Sequence, residues 1–202
     1  MSISPHPSTV TPSFWLLAGL QLGLVALAIL LLAVWPQPLN RWGTLGAAAI
    51  LWGVIAAAVT YALLAAASRY STVMQRHIQP LLARVRPLFA RLAWWQLLAI
   101  ALLAGLGEEL LFRVFLQPAI ASFTSPWLAI AIASLVFAAL HFLSWLYFLL
   151  TLVVGALLGA AYYVTQSVVL VILWHGIYDV IALWVLVYAP HLLGVAAAPQ
   201  TR

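Results

Sequence analysis

Apolar runs of about 20 residues, enough to cross a bilayer core of about 30 Å, follow one another along almost the whole chain, and all three of its acids lie inside them. Glu108 and Glu109 stand in the run 94–116, and Asp179 stands in the run 167–188. With 67% hydrophobic and only 5% charged residues among 202, too little polar sequence remains for a soluble domain. The runs are continuously apolar, whereas a transmembrane β-barrel would alternate. The expected fold is all-α: a polytopic membrane helix bundle, integral to the lipid bilayer.

About six transmembrane helices are expected, together with a basic interfacial segment. The first runs from Phe14 to Val34, with Trp15 and Trp35 at the interfacial positions such rings favour. Pro36 and Pro38 stop it. Residues 1–13 are polar but lack the basic start of a secretion signal, so the run behind them reads as a retained span. The second span, 42–67, is rich in Ala and Gly. No catalytic role is assigned to either. Further spans are expected at 94–116, from Pro126 to a break near Ser144, at 145–163 and at 167–188. In the fifth, Gly155 and Gly159 have the small-xxx-small spacing of close helix contacts.

Between Arg69 and Arg91 lie five arginines and no acid. Met74, Ile78, Leu81, Val85, Leu88 and Leu92 recur at helical steps there, while Pro80 and Pro87 argue for short helices in the headgroup region rather than one unbroken helix. The net charge of +5, all of it from arginine, is concentrated in this segment; it marks membrane orientation and gives no sign of nucleic-acid binding. A cytoplasmic basic segment puts both termini in the cytoplasm, as expected for a protein of the cell (inner) membrane. The organisation is read as two spans and the basic segment over 1–93, a membrane core over 94–189 and a tail over 190–202. The absence of cysteine removes disulfides, thiolate metal sites and a cysteine nucleophile together.

Charge inside a membrane costs several kcal/mol, about 2.5–3.5 per ionisable residue on insertion scales, so such groups face a protein interior. Glu109 and Arg113 are four apart and can pair on one helix face. Glu108 is turned about 100° away, which leaves it as the free carboxylate. Gly105 and Gly107 remove bulk beside it, so another helix or a substrate backbone can come close. Phe137 and His141 share a face, as do His175 and Asp179. No His-Glu-x-x-His or Gly-x-Ser-x-Gly motif occurs, and the single aspartate in a span cannot make an aspartyl dyad. A carboxylate and a histidine jointly activating water fits what remains. Two histidines and a glutamate also make a zinc-ligand set, so metal dependence stays open.

These residues resemble the CAAX-protease and bacteriocin-processing family of intramembrane endopeptidases, which includes the Ras-converting CAAX proteases. Its pattern stands here as Glu108-Glu109-Leu-Leu-Phe-Arg113, Phe137-Ala-Ala-Leu-His141 and His175-Gly-Ile-Tyr-Asp179. The resemblance implies a glutamic protease that needs no metal cofactor and cleaves a membrane-associated peptide or protein. It implies Glu108 as general base, His141 as its partner on water, and His175 with residue 179 at the oxyanion. Glu109, Arg113 and Phe137 would support the site. Where the family has Asn or Asp, this chain has Asp179. An ionised aspartate only accepts hydrogen bonds, so Asp179 must be protonated or must act by orienting His175. Two other classes fit the same residues: a non-catalytic membrane scaffold or immunity protein on this fold, and a proton or ion path. Neither substrate identity nor oligomeric state is legible.

Overall fold

The computed structural model describes residues 12–35 and 46–195, and every regular element among them is helical. The expected stop at Pro36 and Pro38, the start of the second span at Trp42, Arg41, and most of the polar N-terminus and tail lie outside the described residues. The helices are α1 (Phe14–Val34), α2 (Ala47–Tyr70), α3 (Thr72–Phe89), α4 (Trp94–Glu109), a π-helical stretch (Leu110–Leu116), α5 (Gln117–Ala121), α6 (Pro126–Leu140), α7 (Trp145–Thr165) and α8 (Val168–Tyr188). A single 3₁₀ turn, Pro190–Leu193, follows.

The protein is an integral membrane protein. Helices α1, α2, α7 and α8 are each long and apolar enough to cross a membrane, and their outward faces carry large apolar side chains. The other two expected spans take different forms. Residues 94–121 are one helical run interrupted by the π winding, and α6 is a 15-residue apolar helix. Backbone donors at helix starts lack intrahelical partners. Serine hydroxyls serve instead: Ser13, Ser71, Ser125, Ser144 and Ser167 each accept a bond from the amide three residues on.

The basic segment corrects one expectation, because α3 runs unbroken from Thr72 to Phe89 with Pro80 and Pro87 inside it. Both prolines sit on the exposed side, together with Arg76 and Ala83, whose carbonyls lose their i→i+4 donors. The opposite side is held by packing and by hydrogen bonds. Gln79 donates to the carbonyls of Ser68 (2.9 Å) and Leu193 (3.1 Å), and Arg86 donates to Leu186 and Val187 (3.1 Å each). Tertiary contacts here outweigh intrinsic propensity. Leu88, read from its spacing as part of the apolar face, is exposed.

Close backbone approach sets the centre of the bundle. A Cβ on Gly105 would lie 2.7 Å from both the N and Cα of Gly176, so α4 and α8 cross with their backbones almost touching. Gly107 lies against α1, where a Cβ would stand 3.1 Å from Val25 Cγ2. On α7, Gly155 and Gly159 take the side chains of Ser134, Phe137 and Ile130 from α6, as their spacing predicts. Gly105→Ala should therefore lower thermal stability in detergent by about 1–3 kcal/mol through overpacking. Gly19→Ala, where a Cβ meets nothing within 4 Å, should leave it unchanged or slightly raised; equal melting of the two variants would contradict the crossing described here.

Candidate active site

The contact of Gly105 with Gly176 lays the end of α4 beside His175, and the three acids of the chain then converge on that imidazole. Glu109 Oε1 accepts a hydrogen bond from His175 Nδ1 at 2.7 Å. His175 Nε2, on the far side of the ring, lies 3.5 Å from Asp179 Oδ2 and 3.7 Å from Glu108 Oε2. Since a carboxylate only accepts, Nδ1 carries the proton in its bond to Glu109.

Glu109 is fully buried and Arg113 is 1% exposed, and they pair at 3.3 Å as their spacing predicts. Arg113 also donates to the Gly155 carbonyl at 3.0 Å and lies 4.9 Å from the centre of the Phe137 ring. One turn on, Gln117 donates to the Gly159 carbonyl at 3.1 Å. The two side chains thus climb α7 in step with its glycines. They do so from the π-helical stretch and its exit, where the Gln117 amide donates five residues back to Phe112. Such local widening is frequent at functional sites. Apolar length alone gave no sign of it.

His141 follows α6 directly. Its Nδ1–H donates to the Phe137 carbonyl at 2.8 Å, pairing one of the acceptors a helix end leaves bare. That bond turns Nε2 toward Glu108 Oε2, at 3.5 Å. Phe137, itself buried, stacks on His141 (4.5 Å between ring centres) and meets His175 edge-on (5.9 Å). All seven residues singled out in the sequence are therefore brought together. Glu108 Oε2 is buried and has no hydrogen-bond partner, although two imidazole Nε2 atoms face it.

Glu108 lines a cavity of about 420 Å³ bounded by α1, α2, α4, α6, α7 and α8 and by the apolar side of α3. Sequence reading missed two things here. The first is the bond between Glu109 and His175, which are 66 residues apart and meet only through the α4–α8 crossing. The second is the set of polar side chains that other helices add to the cavity wall: Gln21, Tyr61, Tyr147 and Tyr178. Gln21 did carry a signal, as the one hydrophilic side chain in α1. Any metal would have to be shared by Glu108, His141 and His175; among the described residues no group of three His, Asp or Glu side chains is spaced to hold one.

Residues 90–181 match the family model described as type II CAAX prenyl endopeptidase, Rce1-like. This is the family that the three motifs resemble. No curated protein and no solved structure matches the chain.

Removing one member of a buried ion pair strands the other. Arg113→Met should cost about 3–5 kcal/mol of stability. Adding Glu109→Gln to that variant should recover much of the loss, because Gln Oε1 can still accept from His175. Equal melting of the single and double variants would show that the pair is not what holds this end of α4.

Proposed function

We propose that this chain, whose residues 90–181 belong to the Rce1-like family of type II CAAX prenyl endopeptidases, is an intramembrane endopeptidase that hydrolyses a peptide bond of a membrane-associated substrate. The observation that carries the reading is the buried Glu108 Oε2, without a hydrogen bond, facing His141 Nε2 at 3.5 Å on the wall of a cavity. With Nδ1–H committed to Phe137, a neutral His141 offers Nε2 as an acceptor. A water seated over the two acceptors donates one proton to each, and its lone pair is left to attack.

In this mechanism Glu108 takes the proton as the water oxygen bonds to the scissile carbonyl carbon. The carbonyl oxygen becomes an oxyanion. A His175 carrying both protons gives Nδ1–H to Glu109 and Nε2–H to that oxyanion. The Asp179 carboxylate, 3.5 Å from Nε2, favours the doubly protonated ring by its charge and leaves Nε2–H to the oxyanion, which is how an aspartate can stand where donation by Asn would be the alternative. When the C–N bond breaks, the proton on Glu108 passes to the leaving nitrogen. Arg113 and Phe137 act only by position: Arg113 fixes Glu109, and Phe137 fixes both imidazoles. No metal takes part in these steps. The same reading divides the chain into two membrane spans and a basic interfacial segment over 1–93, a catalytic core over 94–189 and a short tail over 190–202, in a cell membrane with both termini cytoplasmic.

Cleavage of a membrane-peptide library by the protein in lipid tests this. Glu108→Gln and His141→Ala should each lower turnover by about 100-fold or more, Asp179→Asn should stay within about tenfold of the native rate, and a strong chelator should change nothing. Loss on chelation would replace the glutamate mechanism with a metal one. A native chain that cuts nothing, with its cellular phenotype intact in both variants, would make it a non-catalytic binding protein.

A further inference from the structure

The residues matched to the family begin at 90, yet two buried polar groups on the catalytic cavity come from the helices before that point. Gln21 is the one hydrophilic side chain of α1. Its Oε1 is buried and has no hydrogen-bond partner. The turn that carries it is pressed onto α4 beside the catalytic carboxylate, since a Cβ on Gly107 would lie 3.5 Å from the Gln21 carbonyl oxygen. The hydroxyl of Tyr61, on α2, is likewise buried without a partner, and its ring stands 6.2 Å from that of Tyr178, the neighbour of Asp179. Both residues line the same cavity as Glu108.

The remaining hydrophilic groups of α2 that face its neighbours are satisfied. Thr60 accepts from Trp174 Nε1 at 3.0 Å, and Ser68 donates to the Leu193 carbonyl at 3.1 Å. A buried polar group left without a partner is costly, so an amide and a phenol without partners, on two residues of one cavity wall, point to an occupant of that cavity that draws them out. A peptide that is to be cut inside a membrane must be unwound at the scissile bond. Its N–H and C=O groups then need partners in a place without bulk water. A primary amide supplies both an acceptor for N–H and donors for C=O, and a phenol supplies a donor.

We propose that Gln21 and Tyr61 bind the backbone of an extended substrate segment beside the scissile bond, so that the two N-terminal spans complete the substrate site of the catalytic core. The inference rests on the endopeptidase reading. It makes the recognised feature the peptide backbone, and the class of substrate an apolar segment in extended form.

The test uses the full chain in lipid nanodiscs with Gln21→Met and Tyr61→Phe, a fluorophore-labelled apolar membrane peptide, and the same peptide with ester linkages replacing the amides that flank the scissile bond. Each variant should raise KM by about tenfold, the effect of one lost hydrogen bond, with kcat nearly unchanged. Binding to each variant made in the Glu108→Gln protein should weaken equally. Thermal stability should hold or rise, because an unpaired polar group has been removed. The ester peptide should bind the native site more weakly, and Gln21→Met should abolish that preference for the amide. Unchanged KM and affinity in both variants, or lost melting temperature with the amide preference intact, would overturn the proposal and leave the protease standing. Peptide bound in a Gln21-dependent way but never cut by the native chain would do the reverse.

Discussion

The hydrogen bond between His175 and Glu109 is the interaction on which the rest of the site depends. It joins two helices whose backbones nearly touch, at Gly105 and Gly176, and it sets which face of the imidazole is turned to the cavity. Glu109 can serve this way only because Arg113 faces its other oxygen. Arg113 in turn reaches the Gly155 carbonyl that a glycine leaves open on α7. A bare carboxylate at this depth would be unsustainable; the chain of Arg113, Glu109 and His175 makes the charge tolerable and spends it on orientation. Glu108, one residue away and about 100° around the helix, is left outside this chain and lines the cavity.

Adjacent glutamates thus divide one task. The first keeps a carboxylate oxygen without a hydrogen bond between two imidazoles, and the second anchors one of those imidazoles. Phe137 completes the frame by touching His141, His175 and Arg113 from one ring, so a single apolar residue registers three polar ones. The short α6 is part of the same device. It ends where His141 can bond the Phe137 carbonyl, and that bond aims the other ring nitrogen.

Much of this is legible in the sequence. The separation of Glu108 from Glu109, the pairing of Glu109 with Arg113, and the shared faces of Phe137 with His141 and His175 with Asp179 all follow from helical spacing, which is local. Contacts between distant segments were not legible. Nothing in the spacing of residues 109 and 175 announces their bond, and the π winding over Leu110–Leu116 depends on how Arg113 and Gln117 meet α7. The prolines misled for a related reason. Pro80 and Pro87 carry real local penalties, but they lie on the exposed side of α3, while Gln79 and Arg86 pin the other side to the Pro190–Leu193 turn and to α8. Gln21 was visible as an anomaly in an apolar span, yet its meaning came only from the wall it occupies.

In the proposed mechanism water, activated by Glu108, attacks the substrate directly. The measurement that tests it most directly is a single turnover in heavy-oxygen water, followed by mass analysis of both the peptide product and the segment of the enzyme containing Glu108. Direct attack places the heavy oxygen in the new carboxylate of the product and none in Glu108. Heavy oxygen in the Glu108 carboxyl after that turnover would mean that the glutamate itself had attacked the carbonyl and formed an anhydride, and the general-base mechanism would be wrong.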